Sequence, residues 1–409
     1  MTKLDIDFVR TQFPAFEQPI LQGKAFFENA GGSYPCRQVI DRLTRFYRER
    51  KVQPYAPYAA SELGGAEMDE ARERLAALMG VATDEVSFGA STSSNTYVLA
   101  QAFRGWLKAG EAIVVTDQDH EANSGVWRRL GADGIEVREW QIDRDTGHLD
   151  PAALGALLAD GKVRLVCFPH CSNVVAEINP VAEIVAMAHA LGAVTCVDGV
   201  SYAPHGLPDV ATLGADIYLF SAYKTYGPHQ GIMVIRRALG ETLPNQGHYF
   251  NAASLYKRFT PGGPDHAQIA ACAGMADYVD TLYRRHFTGT PDAVAQGRAV
   301  HDLMRAHEIA VLQPLLDYLA VRNDLRLIGP RQAAERAPTV AVALDRAAEP
   351  VARALAAHGI MAGGGDFYAV RPLTAMGVDL TRGVLRLSFV HYTNAAEVDQ
   401  LISALDQVL

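Results

Sequence analysis

A lysine and an aspartate stand where two short apolar runs end. Residues 215–237 read ADIYLFSAYKTYGPHQGIMVIRR. Ile217 to Phe220 favours a strand, small and polar residues follow, and after Lys224 come a Gly-Pro turn and a second strand-like run, Gly231 to Ile235. A lysine held between two buried strands loses hydration, which disfavours its ammonium and frees the amine as a nucleophile toward an aldehyde. Upstream, Ala193 to Val200 (AVTCVDGV) is another apolar run, closing on Asp198 and Gly199. A lone lysine is usually a solvated loop residue. An acid and a lysine ending successive strands are instead the pair that pyridoxal phosphate uses, the lysine as a Schiff base and the carboxylate to keep the ring nitrogen protonated.

Strand-VDG, followed about two dozen residues later by FSAYKTYGP, resembles the fold type I pyridoxal phosphate enzymes of the class V aminotransferase group, particularly the cysteine desulfurases and desulfurase-like relatives. The resemblance runs from Phe26 to the C-terminus and implies pyridoxal 5'-phosphate as cofactor, with Lys224, Asp198 and His120 as catalytic residues. In DHEAN, His120 matches the histidine that lies flat on the cofactor ring, blocks one face and shuttles protons. Ser91 to Asn95 (STSSN) open a helix after the strand Val86 to Ala90, and hydroxyls with free N–H groups at a helix start bind anions. The resemblance gives the cofactor phosphate to Ser91 and Thr92, with further contacts from Ser221 and from Tyr223, where desulfurases usually carry histidine. It gives the phenolic oxygen to Asn173, and to Ser201 only through water, since a glutamine is usual there. Gly263 replaces the threonine of a loop that reaches the partner subunit's cofactor phosphate, so a homodimer with a shared site is implied. Arg386, in GVLRLSF, matches the arginine that clamps a substrate α-carboxylate. The turn AFFENAGGSYP, with Asn29, Gly31, Gly32 and Ser33, falls at the active-site entrance, and Asn29 is expected to face substrate.

Positioning these groups takes a large core. The 409 residues are 49% hydrophobic, enough for a large and a smaller domain. The runs predict an α/β chain: a lead-in over 1–24, a large cofactor-binding domain over 25–270 with a mainly parallel sheet of about seven strands, and a smaller α+β C-terminal domain over 271–409. QPYAPYAASELGG (53–65) reads as a loop, residues 267–284 as one helix, and Gly363 to Asp366 as a run flexible enough for a lid. A net charge of −9 without a long basic run argues against nucleic acid or an anionic membrane surface as partner, and no stretch reaches a membrane span, so a cytosolic protein acting on a small molecule is expected. Five cysteines form no CxxC pair. Cys167 and Cys171 in VCFPHC invite a metal reading, but no second ligand pair accompanies them, and packing at a strand end is the better assignment.

The reaction turns on a departure from the desulfurases, which carry a mobile-loop cysteine that accepts sulfur as a persulfide. Here the corresponding stretch reads MAGGGDFYAVRPL, with Tyr368 where that cysteine falls and Gly363 where an arginine is common, and no cysteine follows Cys272. A phenol offers no thiolate to attack sulfur. What remains is elimination at Cβ, with Tyr368, Tyr58 or His120 as acid, or amino transfer to a keto acid, with Arg371 or Arg382 as a second cation for an acidic substrate. A β-eliminating lyase of the C–S type is the expectation and a class V aminotransferase the alternative. A cofactor-binding pseudoenzyme fits less well, since a scaffold needs none of Lys224, Asp198, His120 and Arg386.

Overall fold

Six short runs rich in Val, Ile, Leu and Phe, with the edge run EVREW, build the central sheet in the computed structural model, which describes residues 2–409. In spatial order they are Val86–Gly89, Gly231–Ile235, Ile217–Ser221, Val194–Asp198, Val163–Pro169, Ala112–Thr116 and Glu136–Trp140. The last five run parallel, and Gly231–Ile235 is antiparallel to both its neighbours. Helices cover both faces, so the inner strands are buried save for half-buried Arg164 and Val194 near their starts, and they carry no polar alternation. Asp198 is the last residue of its strand, in register with Pro169 on one side and Leu219 on the other. It therefore stands at the carboxyl edge of the parallel strands, where open α/β sheets bind ligands.

The second sheet has four antiparallel strands in the order Gly363–Gly365, Val384–Ser388, Thr339–Leu344 and Leu325–Ile328. Helices Ala348–Ala357 and Ala395–Val408 share its apolar core. The segment entering the site from the N-terminus belongs to this layer: Ala25–Phe26 pairs in parallel with Ile360–Met361, and Ala25 and Phe27 are buried in the same core. Residues 28 and 29 are thus delivered beside the strand that carries Arg386.

Two local expectations are corrected. Residues 53–65 are not one loop, because the helix Ala59–Met79 begins inside them. Gly64 and Gly65, which read as breakers, are contact points: a Cβ on Gly65 would lie 2.7 Å from the Tyr55 ring. The helix read over 267–284 is two, His266–Ala271 and Ala273–His286. Bonds from Cys272 N to Ile269 O and from Met275 N to Cys272 O, each 3.0 Å, tighten the junction to three-residue turns. Residues 363–365, whose three glycines permit a lid, form an edge strand. Gly364 lets that strand pass under a helix start, since a Cβ there would lie 2.5 Å from the Ala348 carbonyl carbon. Among the described residues no helix is long and apolar enough to cross a membrane.

Candidate active site

The carboxyl edge of the large sheet and the Arg386 strand of the small one enclose a cavity of about 620 Å³. Its wall includes Thr92, His120, Asn173, Asp198, Ser201, Ser221, Tyr223, Lys224, Tyr368 and Arg386, ten side chains from distant parts of the sequence.

Lys224 ends a single helical turn, Ala222–Lys224, placed directly after the strand Ile217–Ser221. Burial, reinforced by the Arg386 charge, lowers its ammonium from 10.5 to about 8 against the opposing pull of Asp198 and Glu28. The amine is therefore far more available near neutrality than that of an ordinary lysine. Asp198 is buried, and one of its carboxylate oxygens accepts the Val200 N–H at 2.8 Å. Burial raises it to about 6, which the Val200 bond and the Lys224 charge counteract. Such a carboxylate suits a buried cationic N–H partner, and the one it lacks is what a protonated ring nitrogen supplies.

His120 is the N-cap of the helix Glu121–Arg128, and its Nδ1 accepts the Ala122 N–H at 3.1 Å. That bond assigns the ring proton of the neutral imidazole to Nε2. Burial first, then the Lys224 and Arg386 charges, push its pKa down to about 4, so the ring is neutral at pH 7. Tyr368 stands over it at the mouth, ring centroids 5.6 Å apart, and is 73% exposed.

One end of the cavity is formed by the start of the helix Thr92–Trp106. The Thr92 and Ser221 hydroxyls, 2.7 Å apart, bond to each other on the cavity wall. The strand Gly231–Ile235 crosses so close behind that a Cβ on Gly231 would sit 2.4 Å from the Ser91 carbonyl carbon. Ser91 itself is absent from the wall. Its hydroxyl caps the helix by accepting the Ser94 N–H at 3.1 Å, and Ser93 lines the cavity in its place. The first serine of STSSN is thus taken by the backbone, as the N-cap position requires.

Asn29 and Gly263 also lie off this wall. The Asn29 carbonyl oxygen takes the hydroxyl of buried Tyr392. Gly263 lines a separate cavity of about 300 Å³ with Tyr55 and Phe250. Of the two arginines read as second cations, Arg371 pairs with Glu121 at 3.2 Å beside the mouth, whereas Arg382 pairs with Asp379 at 3.4 Å on another surface. Tyr58 is exposed and does not line the cavity.

Two site residues escaped the sequence reading. Phe367 lays its ring under the Arg386 guanidinium at 3.8 Å and its carbonyl accepts the Asn173 amide at 2.9 Å. Phe367 and Tyr368 both have positive φ, 53° and 56°, an uncommon backbone for aromatic residues that turns the two rings to the cavity mouth. Glu28 accepts from Arg386 Nη2 at 2.6 Å. The available signal for Glu28 was an acid closing an apolar strand, the same signal that exposed Asp198.

The donor set fits pyridoxal phosphate. Two hydroxyls and a 15-residue helix N-terminus await a phosphate, a buried carboxylate awaits a ring N–H, and a poised amine awaits an aldehyde. Asn173 Oδ1 is buried without a partner while its Nδ2–H donates to Phe367, so a bond to the cofactor's phenolic oxygen requires this amide to turn over.

A family profile described as aminotransferase class-V matches residues 25–401. Among curated proteins, the chain is 33% identical to the aminotransferase-like protein FGM3 of Gibberella zeae, over 100% of this chain and 99% of that one. It is 29% identical to a cysteine desulfurase of Pectobacterium carotovorum, over 98% of each. Among solved structures, the fold is similar to cysteine desulfurases of Thermococcus onnurineus (TM-score 0.85, 22% identity, covering 100% of this chain and 98% of that one) and Escherichia coli (TM-score 0.80, 23% identity, covering 99% and 98%). The chain belongs to the class V aminotransferase family, desulfurase-like in fold, and is a pyridoxal phosphate-dependent enzyme.

Proposed function

We propose that the enzyme is a β-eliminating lyase that cleaves the C–S bond of a cysteine-type amino acid without forming a protein persulfide. The observation that carries this is the state of the cysteines. All five are buried free thiols, and the one on the cavity wall, Cys171, donates its S–H to the Ala176 carbonyl at 3.2 Å while burial pushes it up to about 12. None is presented as a thiolate to take sulfur from substrate.

When bound, pyridoxal phosphate supplies the electron sink that makes a Cα proton removable. The chain's own groups do the rest. Arg386 binds the substrate carboxylate and fixes the Cα–H bond toward Lys224, whose amine accepts the proton. Asp198 would hold the cofactor's ring N–H and keep it protonated. Neutral His120 would cover the bound cofactor and offer Nε2–H, and the Tyr368 hydroxyl would protonate the departing sulfur. Elimination and hydrolysis then convert R–S–CH2–CH(NH3+)–COO− and water to R–SH, pyruvate and ammonium.

Incubating the cofactor-loaded enzyme with cysteine, cystine and cysteine S-conjugates tests this. Pyruvate, ammonium and thiol in equal amounts support the lyase. Conversion of the enzyme to its pyridoxamine form, reversed by a keto acid, supports the second reading, an aminotransferase, which the FGM3 likeness favours. A homodimer is the proposed working form: Tyr249 and Phe250 are 87% and 69% exposed next to the Gly263 cavity, an apolar patch suited to a second copy. Sedimentation of a monomer at micromolar concentration contradicts it. The five unpaired thiols support a reducing, cytoplasmic setting, which fractionation of the host cell tests.

A further inference from the structure

We infer that Glu28 is a specificity-determining residue that sets how strongly the site binds a substrate carboxylate, by holding a resident carboxylate against Arg386. This rests on the reading of Arg386 as the substrate clamp.

The contact is built into the backbone. Gly363 lies directly across the ladder from Arg386, and a Cβ there would come within 2.6 Å of Glu28 Oε2 and 3.0 Å of the Phe367 ring. On the other side, a Cβ on Gly31 would sit 3.0 Å from Glu28 Oε1. Two glycines thus clear the space that one carboxylate fills. Its backbone is pinned as well, since residues 25–27 pair with the small domain and Asn29 N bonds to Ser388 O at 3.2 Å. Glu28 is a fixed wall of the site rather than a side chain passing through it.

The pair is also incomplete. Arg386 is 3% exposed and meets Glu28 through Nη2 alone, with Nη1 directed to the Asn173 carbonyl at 3.4 Å. Arg386 Nε and Glu28 Oε2 are both buried without partners. A substrate carboxylate finds Nε free but must lie beside the Glu28 carboxylate in a desolvated pocket, where like charges repel strongly. Free amino acids therefore bind below the affinity of an undivided arginine clamp. Compounds whose carboxyl is esterified or amidated avoid the repulsion, so Glu28 narrows the difference between the two classes.

Isothermal calorimetry of propionate with the holoenzyme reads this without turnover. Glu28→Gln keeps the shape and removes the charge, so the propionate Kd should fall about tenfold or more. Glu28→Asp, which withdraws the carboxylate from Arg386, should tighten binding by a smaller factor and serves if the glutamine variant folds poorly. In turnover, Glu28→Gln should lower KM for a free amino acid and leave that of its methyl ester unchanged. Unchanged or weakened propionate binding in both variants overturns the inference. Arg386→Gln separates the two layers: if it leaves wild-type propionate binding intact, the clamp reading fails and the inference with it. If it abolishes binding while Glu28→Gln fails to tighten it, only the role of Glu28 is refuted.

Discussion

The availability of the Lys224 amine is the quantity on which cofactor capture depends, and pH perturbs it directly. With an ordinary value of 10.5, roughly 0.03% of lysine side chains carry a free amine at pH 7; at about 8, roughly a tenth do, a gain of about 300-fold. The cause is burial, with the Arg386 guanidinium adding to it. The assay is stopped-flow absorbance of apoenzyme mixed with pyridoxal phosphate in excess, from pH 6 to 10. Below about pH 8 the rate of adduct formation should rise close to tenfold per pH unit, then level off as the amine becomes fully deprotonated. Arg386→Gln removes a positive neighbour, which raises the lysine value, so the break should move upward and the rate at pH 7 should fall. A rate that climbs tenfold per unit to pH 10 in the wild type would refute the claim that the pocket activates this amine.

Asp198 carries the opposite sign. Its folded value, about 6, lies above the ordinary 3.8, so the folded apoenzyme holds the extra proton and its stability falls as pH rises from about 4 through 6, by about 2–3 kcal/mol at most. Chemical denaturation of apoenzyme should show that loss in the wild type and lack it in Asp198→Asn; equal pH profiles would contradict the burial argument. Gly231→Ala places a methyl against the start of the helix Thr92–Trp106, where the nearest atoms are backbone and cannot turn aside. Equilibrium dialysis should show cofactor affinity reduced by tenfold or more, and wild-type affinity would mean that the helix start does not hold the phosphate.

How much the sequence disclosed follows from where each role is encoded. Lys224 and Asp198 were legible because an ionisable residue following an apolar run is a local pattern, and the strand-like runs along the chain predicted the sheet. The helix start beside the cavity was legible in STSSN, but which hydroxyl caps the backbone and which faces the cavity depends on the helical register, and Ser91 took the cap. Glu28 was hidden for another reason. Its position beside Arg386 depends on the absent side chain of Gly363 and on a strand pairing between opposite ends of the chain. Gly64 and Gly65 were read as part of a loop for a related reason, since a glycine that admits a neighbour and a glycine that frees the backbone look identical in sequence.

Borohydride reduction of the cofactor-loaded protein, followed by mass spectrometric mapping of the reduced pyridoxyl group, tests the central claim most directly. The group should reside on the peptide containing Lys224, and Lys224→Ala should lose it while retaining the fold by circular dichroism. A reduced adduct at any other lysine of the folded wild-type enzyme would contradict the account.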